Sequence, residues 1–158
     1  MRNLYLVLEK VNEYLSAHPM INNVSFGDID DIDLRKQTIF PLAHVIVRDA
    51  QFQGQYFNTV VFTLDILVMD IVDVDKNDIR TEVDPFYGQD NLQDVLNSTL
   101  VVLNSLTQEL VKGDLYTELY QIDAPPSCVP FLDRFENKLA GWLMTLTIKT
   151  ANNEITVC

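Results

Sequence analysis

The chain has 158 residues, of which 47% are hydrophobic and 22% are charged, as in globular proteins that bury a proper core. Its 23 acids and 11 bases give a net charge of −12, and a field of that sign repels phosphate backbones and anionic lipid. Direct binding to DNA, RNA or a membrane is therefore disfavoured. Asp65 and Asp70 interrupt the longest apolar run, so we expect no membrane-spanning segment.

The first elements are read from the spacing of apolar residues. Residues 2–17 repeat them at helical intervals, and His18-Pro19 ends the pattern, which predicts an amphipathic helix. Residues 21–28 predict a short strand, which is followed by an acidic loop. Residues 37–50 predict a second strand, and the chain then turns through Gly54.

Residues 56–72 predict an unusually long strand with two distinct faces. The core face is predicted to carry Val60, Phe62, Leu64, Ile66 and Val68. The other face carries Val61, Thr63, Asp65, Leu67 and Met69. This second face is too apolar for water alone and too polar for a core, so we expect something outside the domain to cover it. Asp65 is expected to be exposed there, or paired with a base such as Arg48 on the neighbouring strand.

The second half of the chain begins with a long polar loop at about residues 72–90. A helix is predicted next, ending at Lys112 before Gly113. A short strand within residues 115–122, an irregular crossing at 123–131 and a last strand around residues 142–149 complete the pattern. Residues 1–158 are thus predicted to be a single α+β domain, in which two main helices pack on a mostly antiparallel sheet with long loops at the strand ends.

Two acidic segments raise the question of a metal site. Residues 73–84 place oxygen ligands, among them Asp73, Asp75 and Asp84, in the register of a twelve-residue calcium loop. Position six is Asp78 where the turn needs glycine, and a strand precedes the loop instead of a helix, so we predict no calcium site.

The second acidic segment, residues 28–33, contains four aspartates interleaved with apolar residues. These are Asp28, Asp30, Asp31 and Asp33. Catalytic magnesium needs carboxylates that converge from separate elements, so the pattern favours a solvated loop.

No group of residues predicts catalysis. His44 lies in an apolar strand, His18 borders a helix end, and Cys128 and Cys158 are far apart, which favours two thiols in a reducing cytoplasm over a zinc site. Nucleotide-binding glycine loops are absent. The aromatic residues fall at strand spacing and are interpreted as core or subunit contacts; the set comprises Tyr56, Phe57, Phe62, Tyr116, Tyr120 and Trp142. We predict no enzyme, cofactor or metal.

The order of the elements and two stretches resemble a known family. The stretches are "GDIDDIDLRKQTIFPLAHVIV" (27–47) and "DRFENKLAGWLMTLTI" (133–148), with "VVFTLDILVMDIVD" and "DNLQDVLNSTL" between them. In these features the chain resembles the tail terminator, or tail-completion, proteins of bacteriophages, which are small α+β virion proteins. Neck rings of short-tailed phages share this fold, so the broader class is the head–tail connector ring.

The resemblance implies a structural protein that forms a homo-oligomeric ring at the phage neck or the head-proximal end of the tail. It would bind neighbouring connector and tail proteins, let DNA pass without specific binding, and assemble in the host cytoplasm. The second face of strand 56–72 would then be the subunit interface. The acids of residues 28–33 and 73–84 would line the lumen or solvate the outer rim. A non-ring adaptor, and a metal-dependent enzyme that uses the acidic loops, are the alternatives.

Overall fold

A computed structural model describes residues 2–28, 40–72, 92–112, 121–132 and 139–152. The helices and strands, in chain order, are α1 (Arg2–Ala17), β1 (Asn23–Phe26), β2 (Leu42–Gln53), β3 (Thr59–Ile71), α2 (Leu92–Lys112), β4 (Gln121–Ile122), β5 (Ser127–Leu132) and β6 (Leu139–Ala151). A 3-10 turn, Gln55–Phe57, connects β2 to β3. Two helices and one mostly antiparallel sheet confirm the predicted α+β class.

The six strands form one sheet in the order β1-β2-β3-β6-β4, and β5 also pairs with β6. The pairing of β1 with β2 is parallel, and the other pairs are antiparallel. Strand β3 is central, because β2 and β6 flank it along nearly its whole length. Its length is 13 residues, about twice the usual length of a strand.

The main core lies between the helices and one face of the sheet. This face of β3 is the one predicted from the alternation, and all five of its expected core residues are buried in one cluster with residues of both helices. The last strand behaves in the same way, since Met144, Leu146 and Ile148 belong to that cluster. A hydrogen bond of 2.8 Å from Trp142 Nε1 to the carbonyl oxygen of Leu96 joins β6 to α2.

The opposite face of the sheet is also buried in part, which corrects the expectation that it lacks cover. Its second apolar cluster consists of Leu42, Leu67, Met69, Phe131 and Leu139. The sequence pattern missed this cover because most of the irregular crossing expected at residues 123–131 belongs to strand β5, which pairs with β6 and brings Phe131 to the cluster.

Gly141 marks the tightest strand contact near this cluster. It lies opposite Met69 of β3 and opposite Phe131 of β5. A Cβ atom at this position would collide with the backbone carbonyl oxygen of Val68 and lie 2.9 Å from Met69 Cα. Only glycine lets β6 approach β3 this closely.

Candidate functional site

Strands β2 and β3 continue past the end of β1 as a hairpin with one uncovered edge. Strand β1 pairs with β2 only from Leu42 to Val45, whereas β3 pairs with β2 as far as Gln53. Among the described residues, β2 therefore has no strand partner on its outer edge beyond Val45. We call residues 46–64, which include the turn between the strands, the distal hairpin.

A register shift separates the distal hairpin from the rest of β2. Val47 pairs with Leu64 and Asp49 with Thr63, which leaves Arg48 as the extra residue of a β-bulge. Arg48 Nε lies 3.4 Å from Asp65 Oδ2. Bulges and charged side chains are common at edge strands, where they oppose uncontrolled pairing with another chain.

Asp65 pairs with Arg48, which is one of the two alternatives that the sequence left open. Besides the ion pair with Arg48, its Oδ1 accepts a hydrogen bond of 3.0 Å from Thr145 Oγ1 on β6. The Asp65 side chain is nearly buried, whereas that of Arg48 is more than half exposed. This nearly buried carboxylate is therefore held by two neighbouring strands and has a structural role.

The tip of the distal hairpin has a strained backbone. Tyr56 and Phe57 have φ angles of 63° and 53°, a left-handed conformation that costs roughly 1–2 kcal/mol for a residue other than glycine. Gly54 precedes them with a φ of 87°. The long strand consequently begins at Thr59 and not at residue 56 as the sequence predicted, because this turn intervenes.

Asn152, the residue after β6, holds this tip in place. The backbone amide of Asn152 donates to the carbonyl oxygen of Asn58 at 2.8 Å, and its side-chain amide donates to that of Phe57 at 2.6 Å. Thr59 Oγ1 donates to the carbonyl oxygen of Gln53 at 2.9 Å. Side-chain and backbone hydrogen bonds thus fix the strained turn, and strain of this kind is common at functional sites.

The tip exposes aromatic surface and carries no charge. Phe52, Tyr56 and Phe57 are 53%, 89% and 65% exposed. From Ala50 to Leu64 the sequence contains no Asp, Glu, Lys, Arg or His, although 22% of the whole chain is charged. Contiguous exposed apolar patches mark interaction sites on proteins, so this uncharged aromatic tip is a candidate contact site.

A groove between α1 and β1 is the second candidate feature. Its volume is about 370 Å³, and its walls are lined by Tyr5, Leu8, Glu9, Asn12, Val24, Ser25, Phe26 and Val45. Tyr5 is 76% and Phe26 59% exposed at its mouth. Among these lining residues Glu9 is the one with a charged side chain, so the groove is suited to an apolar or aromatic group.

Three residues of the predicted subunit interface are not available at the surface. Val61, Leu67 and Met69 are buried by the chain itself. Thr63 is half-buried, and Asp65 is occupied by the contacts described above. A partner could reach Leu67 or Met69 only by displacing the second apolar cluster. The expectation that these side chains form an open interface is therefore wrong.

His44 is a satisfied histidine, as the sequence interpretation favoured. It is fully buried. Its Nε2 lies 3.2 Å from the carbonyl oxygen of Gly27 and 3.0 Å from that of Asp28. A carbonyl oxygen can only accept, so Nε2 carries the proton, and Nδ1 at 2.6 Å from Ser25 Oγ accepts from the hydroxyl in the neutral ring. The imidazole therefore links β1 to β2 by a hydrogen bond.

Most of the predicted acidic loops lie outside the described residues. This holds for Asp30, Asp31, Asp33, Asp73, Asp75 and Asp84, and for the whole of residues 73–84, where the sequence predicts no calcium site. Asp28 is described, and it is exposed. No group of three or more His, Cys, Asp or Glu side chains that could hold a metal ion occurs within the described ranges. The prediction of a metal-free protein stays a prediction.

A smaller cavity of about 260 Å³ lies between α2 and the end of β3. Asp70 and Ser98 are among its polar lining residues. Burial raises the pKa of the Asp70 carboxyl above its ordinary value, and the hydrogen bond from the Ile71 amide partly opposes this. Solvent still reaches the carboxylate, and a single acid of this kind defines no ligand.

Comparison with known proteins assigns the chain to no family. No protein-family model matches the sequence, and no curated protein matches it. In the part of the chain that the structure describes, neither helix has the length and apolar character needed to cross a membrane.

Proposed function

We propose that the chain is a structural protein of a phage virion that forms a homo-oligomeric ring at the neck or at the head-proximal end of the tail. The observation that carries the proposal is the distal hairpin. It extends beyond the cover of β1 and ends in exposed, uncharged aromatic side chains on a fixed backbone. A rigid apolar projection of this kind suits binding to another protein surface.

The charge of the chain supports the same proposal. A ring through which DNA passes must not hold the DNA, and the affinity of a protein for DNA grows with each basic side chain that contacts a phosphate. At −12 for each copy, an assembly of several copies is strongly negative and repels DNA. In this proposal, the flanking partners are connector and tail proteins, and the aspartates of the two acidic loops line the channel or its rim.

The mass of the purified protein in solution tests the ring. Sedimentation and native mass spectrometry should give a discrete multiple of the 18.1 kDa chain, and negative-stain electron microscopy should show an annulus with a central channel. A protein that stays monomeric or dimeric at every concentration would favour the adaptor alternative instead.

A gel-shift titration with duplex DNA tests the second part of the proposal. We expect no retardation at physiological salt, because the assembly repels phosphate. Retardation that disappears at high salt would show a basic DNA-binding surface and would contradict a channel lined with acids.

A further inference from the structure

The strained tip and the groove belong to the same chain but cannot meet within one copy. The groove includes Val45 of β2, and the tip follows Gln53 at the end of the same strand. Eight residues of extended strand separate these positions by about 26 Å, at roughly 3.3 Å for each residue. Strand β3 pairs with β2 between them, so the hairpin cannot fold back onto its own groove.

A second copy of the chain can supply the missing occupant. Two copies that each carry a charge of −12 repel each other, and the least costly approach is through surfaces without charge. The tip has no charged residue from Ala50 to Leu64, and the groove has Glu9 as its charged residue. Aromatic side chains would fill a groove whose walls are mainly apolar.

The available area suits a contact that is repeated around a ring. Aromatic side chains bury roughly 150–250 Å² each, so the exposed parts of the three tip aromatics and of Tyr5 and Phe26 offer roughly 700 Å². The lower limit for stable interfaces is about 1,200 Å², so backbone and rim atoms must supply the rest. Each copy in a ring makes two such contacts, because it gives a tip and receives one.

We infer that the aromatic tip of one copy (Phe52, Tyr56 and Phe57) inserts into the α1–β1 groove of the next copy, and that this head-to-tail contact joins the subunits. The inference rests on the proposed ring and names the surfaces that build it. The tip and the groove are different surfaces, so the contact is heterologous and leads to a closed ring or an open chain of copies. In this contact the strained backbone at Tyr56 and Phe57 directs their two large side chains outward, toward the next copy.

Two variants and one control test the contact. Tyr56→Asn with Phe57→Asn removes two of the three tip aromatics, at the positions whose left-handed backbone asparagine tolerates. Tyr5→Gln with Phe26→Thr empties the mouth of the groove and keeps good helix and strand formers. Val111→Asn on α2 is the control, since Val111 is an exposed apolar residue outside both surfaces.

Sedimentation should show an oligomer for the natural chain and for the control, and folded monomers for both double variants. Thermal unfolding should be cooperative in all four proteins. At a concentration where the natural chain is also monomeric, the melting temperature of the tip variant should be unchanged or raised, which a merely structural tip would not give. Mixing the tip variant with the groove variant should yield a 1:1 dimer and nothing larger, because only one intact tip and one intact groove remain.

The outcomes separate this inference from the proposed function. Intact rings formed by the tip variant would overturn the inference but would still support the proposed ring. A mixture that stays monomeric would also overturn the pairing of tip with groove. Open chains in the natural protein, together with a 1:1 dimer in the mixture, would support the contact between tip and groove and would contradict the proposed closed ring. A natural protein that is monomeric at millimolar concentration would overturn both the tip–groove contact and the proposed ring.

Discussion

The two halves of β2 differ sharply although they belong to one strand and pair with the same neighbour. Leu42–Val45 are all buried, with β1 on one side and β3 on the other. Arg48–Phe52 are all exposed, and among the described residues only β3 pairs with this segment, from Asp49 onward. The bulge at Arg48 lies at the boundary between these halves.

The difference shows that burial depends on what covers a strand and not on the strand itself. The first half is sequestered because β1 extends the sheet beside it, His44 bonds to β1, and both sheet faces carry apolar clusters. The second half lacks that cover, and its exposed residues are both polar (Arg48, Asp49 and Gln51) and apolar (Ala50 and Phe52). Stability therefore resides in the first region, and the second region is available for contacts with other molecules.

Among the variants that test this comparison, Leu67→Glu should have the largest effect on stability. Leu67 is buried opposite His44, in the covered region, so an unpaired carboxylate there should reduce the free energy of unfolding by about 4 kcal/mol or more. Phe52→Glu in the exposed half should change it by less than about 1 kcal/mol. Urea unfolding followed by circular dichroism measures both. A stable Leu67→Glu protein would mean that the second sheet face is open, as the sequence suggested.

Glycine substitutions compare the two regions at the level of the backbone. Gly141→Ala forces a methyl group against the β3 backbone and should cost about 3 kcal/mol of unfolding free energy. Gly54→Ala meets the end of the Asn58 side chain, which can move, so its cost of about 2 kcal/mol should come from the backbone, whose φ of 87° and ψ of 169° only glycine adopts readily. Chemical denaturation at equal protein concentration should rank them in that order, and the reverse order would contradict the account of the β3–β6 contact.

Tyr56→Asn should stabilise the unassembled protein by up to about 1 kcal/mol. Asparagine tolerates the left-handed conformation, and an exposed tyrosine loses little packing when it is removed. The measurement is the melting temperature at a concentration where the chain is monomeric, since assembly would stabilise the natural protein by mass action. A lower melting temperature would show that Tyr56 packs within its own chain.

The smallest expected effect concerns Asp70. Its folded-state pKa is raised above that of the unfolded chain, so the folded state binds the proton more tightly. Stability therefore falls as pH rises from about 4 through the folded pKa, and it stays lower at neutral pH. Asp70→Asn should be more stable at pH 7 by a few tenths of a kcal/mol, because solvent screens this half-buried group. A difference that persists below pH 4 would have another origin.

Alternation and charge in the sequence were enough to predict several features of the fold. The core face of β3, the two helices and the antiparallel last strand are found as expected, and the pairing of Asp65 with Arg48 is one of the two alternatives that the sequence left open. These features depend on local periodicity or on the cost of burying an unpaired acid, and both can be read without knowing the fold.

Only the tertiary structure decided which apolar residues remain exposed. Leu67 and Phe57 are both large apolar residues of the β2–β3 region, yet one is buried and the other is not. The cover of Leu67 comes partly from β5, which is distant in sequence, and Pro125, Pro126 and Pro130 in and before that segment hide its strand character. The exposure of Phe57 depends on a turn that Asn152 holds from the far end of the chain. Contacts between residues so far apart leave no periodic signal in the sequence, because they depend on how the strands are ordered in the sheet.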